Sequence, residues 1–309
     1  MLKTLVVGGA GFIGMHLVRL LCGDGRRQVV VVGRRPQGPA DLPPLARYVS
    51  ADVSDDAALL PLLADADEVV DLAYATVPKT SFDDPVHDVL ANLPATVNLL
   101  RNAGTFSLRR FLLVSSGGTV YGNASRLPLD ESHPTNPVSP YGITKLAAEK
   151  YALMFLQLMG LPAVIVRPGN PYGPAQFGKL TQGFIGAAMY AVINRQPVTV
   201  FGERGTIRDY IYIDDLCNGL LAALENGAPG DIFNIGTGVG QDNLSILESL
   251  SHIVSRDGYS LAIETKPARP FDVAANVLSS ARLTYVSGWR AQTSLEDGLQ
   301  NTWDLIKKK

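Results

Sequence analysis

Short apolar runs alternate along the chain with longer stretches whose apolar residues recur at helical spacing. Strands are predicted at residues 2–7, 28–32, 47–49, 68–72, 110–114 and 163–166. Each is rich in Val, Leu or Ile, and several have no polar face at all. That suits strands covered on both sides, as in a parallel sheet. Between them the spacing predicts helices at 12–21, 55–63, 85–102 and 141–159. The last stops at Gly160, a residue that readily takes the left-handed conformation at a helix end. This strand–helix–strand rhythm predicts an α/β fold with a doubly wound parallel sheet.

Past about Gly169 the pattern changes. Turn-rich segments at 170–174, 201–205, 226–230 and 236–240 surround helical stretches at 184–194 and 244–255. A smaller mixed α/β lobe is expected, intertwined with the first domain. The first domain is placed at 1–168 with 209–236 returning to it, and the lobe at 169–208 and 237–309. Loops at 76–84 and 176–182 are expected to form pocket walls. Trp289 and Trp303 read as packing residues, and 307–309 as a solvated tail.

Composition narrows the class. Of 309 residues, 46% are apolar and 18% charged, enough for a large core. The formal charge is 27 − 29 = −2. No basic excess points to nucleic acid or an anionic membrane. No apolar run nears the roughly 20 residues that span a bilayer. The N-terminus runs into a strand without a signal-peptide pattern. Cys22 and Cys217 lie far apart, so no disulfide framework is expected and a cytoplasmic setting is. The four histidines lack metal-ligand spacing, so no metal is expected. Cys217 reads as a buried apolar residue, and His133 has no triad partners.

The first strand ends in Gly8-Gly9-Ala10-Gly11-Phe12-Ile13-Gly14. Gly8, Gly11 and Gly14 between a strand and a helix let the backbone approach a pyrophosphate, and the helix N-terminus offers its N–H groups. A Rossmann-type dinucleotide site follows. After the second strand an acid usually holds the ribose 2′-hydroxyl of NAD. Arg34 and Arg35 stand there instead. They read either as partners of a 2′-phosphate, hence NADP, or as surface charges.

Tyr141 and Lys145 are four apart at the start of a helix and share one face. A free phenol is a poor base at neutral pH. The ammonium, and a positive nicotinamide ring, would favour the phenolate and let Tyr141 take a proton from a sugar hydroxyl.

With these motifs in order, the chain resembles the extended short-chain dehydrogenase/reductases, in the branch of nucleotide-sugar epimerases and dehydratases. The likeness runs through the glycine loop, Asp52-Val53, Leu72-Ala73-Tyr74-Ala75, Asn92, 115–122, Tyr141/Lys145, 167–174, 208–216, 269–273 and Gly288-Trp289. It implies that Asp52 and Val53 contact the adenine. Leu72, Ala73, Tyr74, Ala75, Asn92, Ser115 and Pro168 line the cofactor cleft. Lys145 holds the nicotinamide ribose, and Tyr141 is the acid/base. A hydroxyl in the 115–121 loop normally assists Tyr141. Here its usual position is Gly117, with Ser116 and Thr119 beside it, and Ser116 is the expected substitute. Asn170, Arg208, Arg269 and Asp272 are implied to hold the substrate diphosphate and nucleoside. Ion pairs of Arg208 with Asp209, Asp214 or Asp215, and of Arg269 with Asp272, are the competing reading.

The resemblance implies a nucleotide-sugar 4-epimerase of UDP-hexose type, with NAD or NADP kept bound. Arg34 and Arg35 motivate an alternative, an NADPH-dependent reductase of a nucleotide-linked 4-keto-6-deoxyhexose. A 4,6-dehydratase fits less well, because Gly118 and Thr119 replace the Asp-Glu pair those relatives carry. A non-catalytic nucleotide-binding module is disfavoured by the presence of both Tyr141 and Lys145. A homodimer is also implied, through a four-helix bundle of 85–102 and 141–159. Val86, Val89, Leu90, Leu93, Leu146, Leu153 and Leu156 are the residues expected on that face.

Overall fold

The computed structural model describes residues 1–174, 183–269 and 273–308. Asp272, the loop at 176–182 and Lys309 lie outside the described residues. The first half runs β1 (Leu2–Val7), α1 (Phe12–Gly23), β2 (Arg27–Gly33), β3 (Ala46–Ser50), α2 (Asp56–Ala64), β4 (Glu68–Asp71), α3 (Pro78–Asp83), α4 (Pro85–Ala103), β5 (Arg110–Val114), α5 (Pro140–Met159) and β6 (Ala163–Pro168). Each element predicted from periodicity is present, with ends shifted by at most two residues. The exception is α3, in the stretch expected to be loop. Pro78 fills its first helical position, where a missing N–H costs nothing. Thr80 Oγ1 accepts from the Val77 N–H at 3.0 Å.

The second half runs β7 (Asn170–Tyr172), α6 (Phe184–Ile193), β8 (Val198–Phe201), β9 (Ile207–Tyr212), α7 (Ile213–Asn226), β10 (Ile232–Ile235), β11 (Gly240–Gln241), α8 (Asn243–Ser255), β12 (Ile263–Lys266), β13 (Ala275–Asn276), α9 (Ala281–Ser287) and α10 (Leu295–Ile306).

Among the described residues, seven parallel strands form one sheet in the order β10-β6-β5-β4-β1-β2-β3. Both faces are apolar, as the unbroken Val and Leu runs require. Val6, Val31, Val70 and Leu112 pack with Leu17, Leu21, Leu216 and Leu220 of α1 and α7. Leu5, Val7, Val69 and Phe111 pack with Leu59, Leu99 and Phe155 of α2, α4 and α5. Each such side chain stabilises the fold by ~1.5–3 kcal/mol. The strand order reverses between β1 and β4, which opens a crevice outside their C-terminal ends.

Of the stretch 209–236, β10 extends this sheet and α7 packs on α1, whereas β9 joins β7, β11 and β13 in a four-stranded sheet. The pair β12-β8 completes the described strands of the smaller half. Trp303 is fully buried and its indole N–H donates to Asp257 at 2.7 Å. Trp289 lies against α7, close to Gly219. Lys307 departs from the expected solvated tail. Its ammonium reaches Asp257 and Asp304, each at 2.7 Å. No helix among the described residues is long and apolar enough to cross a membrane.

Candidate active site

The glycine loop is built for close approach. Gly8 has φ +76°, and a Cβ on it would stand 2.8 Å from the backbone nitrogen of Ala73. Only glycine meets both demands. The contact lays Leu72, Ala73, Tyr74 and Ala75 across the loop. Gly11 caps α1 without a side-chain hydrogen bond, so no N-cap side chain occupies the first-turn N–H groups at Phe12, Ile13 and Gly14. A pyrophosphate would meet these groups and the positive end of the helix dipole. This cradle fits a dinucleotide.

Beyond β2, Arg34 and Arg35 are exposed. Asp52 accepts from the Ser54 N–H at 2.9 Å and its hydroxyl at 2.7 Å. These bonds, with Arg34's charge, hold its carboxyl below the usual range. The neighbouring Val53 carbonyl accepts from Asn98 Nδ2 at 3.0 Å.

Ser139 starts α5 by accepting from the Gly142 N–H at 3.1 Å. A Cβ on Gly142 would stand 2.8 Å from the Thr119 carbonyl oxygen, so the helix start lies against the loop after β5. That packing sets Tyr141 beside the loop. The Tyr141 N–H also donates to Ser81 Oγ on α3 at 3.2 Å. Lys145 is 7% exposed and its Nζ donates to the Val114 carbonyl at 2.9 Å. The same ammonium stands 4.0 Å from the centre of the Tyr74 ring and 5.9 Å from that of Tyr141. The rings of Tyr74 and Tyr141 meet edge to face, 4.8 Å apart.

Burial pushes Lys145 down to about 8, against the pull of Asp71, Glu149 and Asp88. Burial likewise pushes Asp71, at the end of β4, up to about 6, although Lys145 and the Ala73 N–H oppose it. The depressed phenol expected at Tyr141 is not found. Burial, then the charge of Asp88, pushes it above the ordinary tyrosine range.

The loop after β5 divides its polar groups between interior and cleft. Ser115 is buried and donates to Glu149, inside the fold. Glu149 also binds Arg167 at 2.6 and 3.0 Å, and Arg167 reaches the Tyr121 hydroxyl at 3.0 Å. Gly117 donates its N–H to the Pro168 carbonyl at 2.9 Å. A Cβ on Gly117 would stand 2.4 Å from Leu278 Cδ1 and 2.8 Å from the Arg167 carbonyl oxygen. No side chain fits at the family's usual hydroxyl position. Ser116 is half-buried, and Thr119 Oγ1 is buried with no hydrogen-bond partner. Asn170 turns its Oδ1 toward Gly118, 3.1 Å from where a Cβ would be.

Asn92 is buried with both ends of its amide engaged. It accepts from the Ala75 N–H at 2.7 Å and donates to Thr76 Oγ1 at 3.1 Å and the Asp88 carbonyl at 2.7 Å. It therefore holds the loop after β4 in place. In the second lobe, Arg208 Nη1 donates to the Ile207 carbonyl at 2.8 Å. Arg269 stacks on Phe201, 3.5 Å from the ring centre. Asp209 accepts from Thr237, Gly238 and Leu278, Asp214 from His16, and Asp215 from Thr293. Cys217 is buried, which pushes its thiol up and leaves it a poor nucleophile.

Five residues of this neighbourhood escaped the sequence reading: Asp71, Ser81, Asp88, Thr144 and Glu149. Two carried a signal. Asp88 lies four before Asn92, and Glu149 four after Lys145, each on the face of an otherwise site-bearing helix.

Known proteins of similar sequence and structure place the chain in a family. The NAD dependent epimerase/dehydratase family matches residues 4–236. The chain belongs to this family. Among relatives within it, the UDP-glucose 4-epimerase of Mycolicibacterium smegmatis is 33% identical, over 100% of this chain and 99% of its own. The UDP-glucose 4-epimerase of Thermotoga maritima, solved with UDP-glucose, superposes with a TM-score of 0.93 at 31% identity and covers 99% of both chains. The Thermus thermophilus UDP-glucose 4-epimerase, solved with NAD, gives 0.88 at 29% identity, again over 99% of each. Members of the family are NAD-dependent enzymes, and this chain shares their two-lobed architecture.

Proposed function

We infer that this family member is a nucleotide-sugar 4-epimerase acting on a UDP-hexose with NAD retained through the cycle. One observation carries the reading. Tyr141 and Lys145 meet at the C-terminal ends of β4 and β5, beside the glycine cradle and a loop holding uncommitted hydroxyls. Relatives of that name along the full chain support it.

A bound nicotinamide would supply reversible hydride acceptance at C4 of the sugar. Tyr141 Oη takes the proton of the 4-hydroxyl and later gives it back. Its raised phenol makes it a proton donor at rest, and positive charge entering the cleft lowers it toward base strength. Lys145 holds the ribose hydroxyls and offsets the phenolate. Asn170, Arg208 and Arg269 are the groups we assign to the diphosphate, whose charge suits guanidinium and amide donors. A dehydratase would need acid/base groups at Gly118 and Thr119, and neither side chain supplies one.

Ser116 is assigned to the substrate hydroxyl, with Thr119 as its rival. Ser116→Ala is expected to lower turnover at least tenfold, about 1.4 kcal/mol of barrier. Unchanged turnover in Ser116→Ala, with a loss in Thr119→Val, would transfer the role to Thr119.

We further assign NAD and a homodimer. Val86, Val89 and Leu90 on α4 and Ile143 and Leu158 on α5 are exposed apolar side chains on two helices that pack together. Leu93 and Leu153, expected on the same face, are partly buried against the core under the sheet, and Leu146 is partly buried against a small cluster with Val120. Native mass spectrometry of the purified protein reads both assignments at once. Two chains with one NAD each are expected. A monomer carrying NADP or no dinucleotide would redirect the reading to the NADPH-dependent reductase.

A further inference from the structure

The helix α4 carries a buried carboxylate that the chemistry above does not use. Asp88 is 0% exposed. One oxygen accepts from Thr76 Oγ1, on the loop after β4. The other accepts from Thr144 Oγ1 at 2.7 Å, on α5 between Tyr141 and Lys145. Asn92, one turn along α4, binds the same loop at Ala75 and Thr76. Two hydroxyls thus join three elements through one carboxylate. The loop it secures carries Tyr74, whose ring touches Tyr141 and covers the Lys145 ammonium.

We propose that Asp88 is a positioning residue for the proton transfer, clamping Thr76 to Thr144 so that Tyr74, Tyr141 and Lys145 form one charge-coupled cluster. The proposal rests on Tyr141 being the acid/base. The charged and titratable groups facing that pair are Asp71 from β4, Tyr74 from the following loop, Asp88 from α4 and Glu149 from α5. Asp71 and Glu149 act on Lys145, whereas Asp88 acts on Lys145 and both tyrosines. A negative charge disfavours a phenolate and favours an ammonium. Asp88 therefore raises both groups of the catalytic pair together, and its removal lowers both.

The test is the pH profile of turnover for Asp88→Asn with UDP-glucose. Asparagine keeps the shape and one acceptor but loses the charge. Both limbs of the profile are expected to move to lower pH by roughly one unit, a tenfold change in each ionisation. KM should change less than kcat away from the optimum. A residue that merely braces the fold would lower activity at every pH and leave the limbs in place, and that result would overturn the proposal. Asp88→Ser, with room for a water in place of the carboxylate, is the second variant, and the shift must appear in whichever variant folds. The two readings fail differently. Turnover that survives in Tyr141→Phe defeats the proposed acid/base. An inactive Tyr141→Phe beside an unshifted Asp88 variant defeats only the role of Asp88.

Discussion

Tyr141→Phe is expected to lower interconversion of UDP-glucose and UDP-galactose about a thousandfold while leaving the protein folded and loaded with NAD. General acid–base groups contribute ~10²–10⁴-fold, and here the phenol is the group assigned to move the proton. A thousandfold is about 4 kcal/mol of barrier. Phenylalanine keeps the ring, so the edge contact with Tyr74 at 4.8 Å is preserved. The helix start is also preserved, because the bond to Ser81 comes from the backbone N–H. A coupled assay of sugar-nucleotide turnover, with circular dichroism as the folding control, decides it. A loss below tenfold would remove Tyr141 from the proton path.

The second large effect concerns stability. Glu149 and Arg167 form a bidentate pair whose side chains are 1% and 4% exposed. Burial alone would lower the guanidinium, but the hydrogen bonds and charge of Glu149 outweigh it and raise Arg167 above its ordinary value. Glu149→Ala leaves that cation buried without its partner, which typically costs ~3–5 kcal/mol. It also strips Ser115 of its acceptor at the base of the catalytic loop. Urea unfolding should show a lower midpoint with an unchanged slope. The double variant Glu149→Leu/Arg167→Met should recover most of the loss, since a packed apolar pair often equals a buried ion pair. A single-variant loss under about 1 kcal/mol would show the pair to be dispensable.

The large sheet was legible because its strands are short and apolar on both faces. Runs such as Val29-Val30-Val31-Val32 have no competing helical reading once Gly33 ends them. The glycine loop and the Tyr141–Lys145 pair were legible for a different reason, since both are defined by spacing along one chain segment. What escaped depends on contacts between distant segments. Gly117 looks like freedom in the sequence, yet in the fold it is a site closed by Leu278 and the Arg167 carbonyl. The raised phenol of Tyr141 was missed because it comes first from burial and then from Asp88, 53 positions earlier. Proximity to Lys145 along the helix suggests the opposite sign. In α3, Pro78 was a local signal for a helix start, masked by the polar residues around it.

The edge of the large sheet has a consequence for synthesis of the chain. β6 is completed at Pro168, but its outer neighbour β10 pairs Ile232 through Ile235 with Ile165 through Pro168. Most of the intervening residues build the smaller lobe. At ~5–20 residues per second, a chain leaving the ribosome holds β6 for several seconds with one row of backbone groups unpaired. That nascent edge is apolar from Ala163 to Val166, the kind that pairs with other chains. The large sheet is therefore completed only after the first part of the smaller lobe, β7 through β9, has been made.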